Sequence, residues 1–130
     1  MKLGILFTVN AVIAAVFGTA FIVAPVQLLA LYGVSLTPGT VVLSRLFGAS
    51  IFGYGLLSWQ ARAAAPSDAL RAIVLSLFVV DGIGFFASLQ GALTGAVNAM
   101  GWSTVVIYGA LGVAFGSFLF AKPAGITAPR

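Results

Sequence analysis

Residues 3–24 read LGILFTVNAVIAAVFGTAFIVA, a run that holds no charged side chain. A helix rises 1.5 Å per residue, so about 20 apolar residues cross the hydrocarbon of a bilayer. Three more apolar runs of that length follow, at 40–60, 69–90 and 103–121, with Arg45, Arg71 and Asp81 as their charged side chains. Strands of a membrane barrel alternate apolar and polar residues, whereas these runs are apolar nearly all round. A helix also satisfies every backbone group within the segment, as hydrocarbon demands. The reading is an all-α integral membrane four-helix bundle, with residues 1–130 forming a single transmembrane domain. The first run follows Lys2 directly, which suits a signal peptide. Its length, the lack of a small-residue cleavage site and the following Pro25 favour a retained helix.

Composition supports the same class. The chain is 62% hydrophobic and 6% charged, with a mean hydropathy of +1.19. Soluble domains carry about 25% charged residues, so this chain cannot cover a water-facing surface. Disordered chains are polar, which excludes that class. There is no Cys and no His, and the only acidic side chains are Asp68 and Asp81. Thiol redox chemistry, the usual general base and the common metal and haem ligands are therefore missing. The expectation is a protein that is not an enzyme, with no catalytic residue, no metal and no cofactor. The net charge of +4 is spread over helix ends and makes no nucleic-acid patch, so the expected partner is the lipid bilayer.

The connections are short. Pro25 ends the first helix, and Val26–Tyr32 is apolar but too short to span, so it reads as a turn or two lying along the interface. Gly33 and Pro38 frame the turn into the second helix. Ser67 or Asp68 is placed to cap the third helix. The connection 91–102 is rich in Gly and Ala and uncharged, and the tail after Lys122 reads as frayed.

The cations sort by side. With four spans, Lys2, Arg62, Arg71, Lys122 and Arg130 share one face, while loops 25–39 and 91–102 hold no Lys or Arg. By the positive-inside rule both termini are cytoplasmic, in a multi-pass protein of the bacterial inner membrane. Trp59 at one boundary and Trp102 and Tyr32 at the other read as aromatic anchors.

Small residues recur on one stripe of each helix. The first run aligns Asn10, Ala14 and Gly18. The second aligns Arg45, Gly48, Phe52 and Gly55, the third Asp81, Gly84 and Ser88, the fourth Gly109, Gly112 and Gly116. In lipid, helices associate through close packing, and small residues at this spacing allow it. Thr40-Val41-Val42 and Thr104-Val105-Val106 hint at an internal repeat, but the offsets of other matching positions disagree.

Polar groups at membrane depth need a reason, since charge there costs about 2.5–3.5 kcal/mol on insertion scales. They are Asn10, Arg45, Tyr54, Asp81 and Tyr108. Arg45 either snorkels to the nearer interface or faces inward. Asp81 is too short to snorkel and must be paired, neutral or wet. An Arg45–Asp81 pair, direct or through water, competes with a neutral hydrogen-bonded acid and with a proton relay. Asn10, Tyr54 and Tyr108 read first as hydrogen-bonding glue between helices.

Small multidrug exporters are similar in size but need a membrane Glu that this chain lacks. The fluoride-channel signatures and the Cys pairs of membrane disulfide oxidoreductases are absent too. The run LYGVSLTPGTVVLSRLFGASIFGYGLLSWQAR, ending at Arg62, resembles the centre of small bacterial four-helix membrane proteins of unknown function, the DoxX-like proteins among them. The resemblance covers residues 28–62 and the four-helix layout, and it implies no catalytic residues. Two functions fit. One is a non-catalytic structural or accessory subunit, as a homo-oligomer or beside a larger membrane complex. The other is a small oligomeric transporter or channel with Arg45 and Asp81 lining its path.

Overall fold

Five helices follow one another in the computed structural model, which describes residues 2–121 and 125–127. They are α1 (Leu3–Val23), α2 (Pro25–Leu31), α3 (Pro38–Ala61), α4 (Asp68–Leu93) and α5 (Gly101–Phe120). No strand occurs among the described residues. The four long helices are each long and apolar enough to cross a membrane. Lys122 and Arg130 lie outside the described residues.

Local chemistry sets the boundaries. Pro25 has no N–H to continue α1 and instead occupies the first turn of α2. Gly33, at φ +72°, supplies the left-handed turn after α2. The start of α3 falls at Pro38, two residues before the Thr40 expected from hydropathy, because Thr37 and Thr40 form a reciprocal cap. Thr37 Oγ1 accepts from Thr40 N at 3.1 Å, and Thr40 Oγ1 accepts from Thr37 N at 2.8 Å. Ser67 caps α4 by accepting from Leu70 N at 3.1 Å, and Asp68 sits in the first turn, at the positive end of the helix dipole. Gly91 does not end α4. The helix runs on to Leu93, and the turn falls on Gly95 at φ +73°.

The long helices associate as two antiparallel pairs, α1 with α3 and α4 with α5. In the first pair a Cβ on Gly18 would stand 2.8 Å from Phe52 N and 3.0 Å from Gly48 O. Gly55 lies against Ala11 and Ala14 in the same seam. In the second pair rings lie over the glycines: Tyr108 over Gly84, Phe85 over Gly109 and Phe78 over Gly116.

The pairs meet at two places. At the end that carries Lys2, Arg62 and Arg71, the rings of Phe7 and Phe115 approach to 5.7 Å between centroids. Leu6, Leu70, Val74 and Leu77 complete this core. Ile126 is buried in it too, and Ser67 N donates to Ile126 O at 3.2 Å. The frayed tail expected after Lys122 is corrected at Ile126, whose side chain is buried in the core, while residues 122–124 and 128–130 of that tail lie outside the described residues. At the opposite end Asn98 ties the loop before α5 to α2. Its Nδ2 donates to Leu31 O at 2.9 Å and its N to Tyr32 O at 3.0 Å. Between these ties the pairs separate. Large apolar side chains such as Phe86, Val113 and Phe120 point outward and stay exposed.

Candidate functional site

Between the two pairs lies a cavity of about 660 Å³. Each long helix lends it one face, at steps of three and four residues. On α1 these are Asn10, Ile13, Ala14, Phe17 and Phe21. On α3 they are Phe47, Ser50, Ile51 and Tyr54. Helix α4 gives Leu77, Val80, Asp81, Gly84 and Ser88, and α5 gives Thr104, Ile107, Tyr108 and Leu111. Leu29 and Tyr32 close the wall from α2 and its C-terminal end.

Asp81 is the only charged side chain in that wall. It is 5% exposed, and its Oδ2 is buried with no hydrogen-bond partner. Gly112 lies directly behind it, since a Cβ there would meet Asp81 Cβ at 3.5 Å. Asn10 is buried and donates from Nδ2 to Ser58 Oγ at 2.8 Å, joining α1 to α3. Tyr54 and Tyr108 border the cavity from opposite pairs. Four of the five polar residues picked out by membrane depth thus share one space.

Arg45 does not join them. It is exposed, lines no part of the cavity and forms no ion pair with Asp81. The cavity face of α3 is Phe47, Ser50, Ile51 and Tyr54. At about 100° per residue, a position two before Phe47 points nearly the opposite way. The expected Arg45–Asp81 pair is corrected accordingly. Gly48 and Gly55 face α1, while Gly84, Gly109, Gly112 and Gly116 all lie in the α4/α5 seam.

Tyr32 also departs from its expected place as an interfacial anchor. It turns inward, and its hydroxyl accepts from Thr104 Oγ1 at 3.1 Å and lies 3.4 Å from Ser103 Oγ. A buried phenol needs such partners, and α5 supplies them. Ser50 and Thr104 are wall residues that hydropathy hides. Their signal is spacing: each stands four residues before a tyrosine of the wall, Tyr54 and Tyr108. Trp59 and Trp102 stay exposed on the outside, and the Arg62 guanidinium lies 3.6 Å over the Trp59 ring.

The chemistry available is narrow. One carboxylate, one amide and several hydroxyls face an otherwise apolar space. No His or Cys stands beside a hydroxyl to activate it. Among the described residues no group of three or more acidic or His side chains could hold a metal ion. What the site does offer is shape, an apolar wall and one carboxyl group.

Comparison of the chain with protein-family models, with curated proteins and with solved structures finds no match.

Proposed function

We propose that this chain is a four-span integral protein of the bacterial inner membrane, a helical bundle with both termini in the cytoplasm, and that it acts without catalysis by holding a small lipophilic molecule between its two helix pairs. The observation that carries this reading is the unpartnered Asp81 carboxylate in the wall of a ligand-sized cavity. A volume of about 660 Å³ lies within the range of small-molecule sites, about 300–1,000 Å³. Such sites are lined mainly by apolar and aromatic side chains with a few polar groups that fix orientation.

The orientation rests on charge. Lys2, Arg62 and Arg71 gather at one end of the helices, and the loops of the other end have no Lys or Arg. A path that uses both membrane charges finds support only at Asp81, because Arg45 lies outside the cavity. A purely structural subunit would gain nothing from an unpartnered carboxylate between its helix pairs.

Two measurements test this reading. A reporter active only in the cytoplasm should give signal when fused after Arg130 and none when inserted at Gly95; the reverse pattern overturns the topology. Native mass spectrometry from mild detergent should find one small apolar molecule retained per chain, or taken up when offered. A chain that neither retains nor takes one up overturns the ligand reading.

A further inference from the structure

We propose that the molecule held between the helix pairs is a lipophilic organic cation, an alkylated or aromatic ammonium whose charged head sits against Asp81 and whose body lies along the aromatic wall. This rests on the ligand reading above and adds the chemical class.

The argument begins with charge. An ionised carboxylate removed from water needs a counter-charge or a set of donors. The cavity wall has neither a Lys nor an Arg, and Oδ2 of Asp81 has no donor. Arg45 is exposed on the far side of α3, and Arg71 of α4 lines no part of the cavity either. Held as a carboxylate, Asp81 takes its balancing charge from the occupant. A hard metal ion is a poor candidate, because it wants six or more oxygens and the wall has a single carboxylate. It would also leave most of the apolar space empty.

Shape and rings narrow the class. Tyr54 and Tyr108 flank the cavity beside Asp81, with Phe17, Phe21 and Phe47 further along the wall. Ring faces attract an ammonium, and more strongly where water is excluded. The remaining wall is aliphatic and suits a hydrocarbon body. Access fits as well. Helices α3 and α4 are not closely packed on each other, yet Ile51 and Tyr54 of one and Val80 and Ile83 of the other border the same cavity. A solute dissolved in the bilayer reaches Asp81 through that gap without crossing either helix pair.

The test compares two probes of equal shape on the full chain in nanodiscs of zwitterionic lipid. One is naphthylmethyl-trimethylammonium. The other is its neutral isostere, with a tert-butyl group in place of the trimethylammonium head. Wild-type protein should prefer the cation by about tenfold or more. Asp81→Asn should remove that preference, and Asp81→Glu should retain it. If Asp81→Asn does not fold, the preference of the wild type decides alone. Equal binding of the two probes to the wild type overturns the cation and leaves the ligand reading standing. Binding of neither overturns both.

Discussion

In the α1/α3 pair backbone meets backbone, whereas in the α4/α5 pair rings cover Gly84, Gly109 and Gly116. A Cβ added to Gly48 would stand 2.8 Å from Gly18 O and 2.7 Å from Phe21 Cβ, so one helix would have to move away from the other. A Cβ added to Gly84 would meet the Tyr108 ring at 2.5 Å. That ring borders the cavity and has space to turn into. The first pair is therefore a fixed wall and the second an adjustable one. Asp81 belongs to the adjustable side, with Gly112 leaving room behind it.

Substitutions at the glycines probe that difference most strongly. Gly48→Leu should cost about 3 kcal/mol or more, above the middle of the overpacking range, because neither neighbour can give way. Its signature is a large fall in melting temperature in detergent together with loss of probe binding. Gly84→Ala should cost about 1 kcal/mol. Adding Tyr108→Leu should recover most of that loss, since the obstacle is a side chain. If the second change recovers nothing, the ring is not what limits the seam.

A smaller effect concerns Arg45 and Asp81. The stability losses of Arg45→Leu and Asp81→Ala should add within about 0.5 kcal/mol, as for residues without a shared contact. A double variant more stable than the sum of the two single changes allows would restore the pair that the structure separates. At the bottom of the scale, Val113→Leu should leave melting unchanged, because Val113 is 77% exposed on the outer face of α5. A loss of more than about 0.5 kcal/mol there would mean that this face packs against protein.

The four long helices were legible in the sequence because hydropathy over some 20 residues is a strong signal. Their ends were less so. Hydropathy does not mark Thr37, whose cap depends on a reciprocal bond with Thr40, nor does it show that α4 runs through Gly91, since a single glycine is tolerated inside a helix. Asp81 was legible as costly. Its surroundings were not, because residues that face lipid and residues that face a cavity are equally apolar. Assigning Arg45 to Asp81 followed from the rule that membrane charges pair, but the register of α3 turns Arg45 outward. Tyr32 was read from its boundary position alone, whereas its hydroxyl finds partners on α5. Which helices pair was hidden as well, since small-residue stripes on all four allow several partnerships.

The space between the pairs is the centre of this account, and filling it tests the account most directly. Ala87 on α4 and Ala110 on α5 are both exposed, but Ala87 borders the mouth of the cavity and Ala110 does not. Binding of the neutral naphthyl probe and the melting temperature are to be measured for Ala87→Trp and Ala110→Trp. An indole placed in a real cavity should abolish probe binding without lowering the melting temperature, while the outer indole should change neither. If Ala87→Trp binds the probe as the wild type does, or melts far below it, there is no ligand-sized space between the helix pairs.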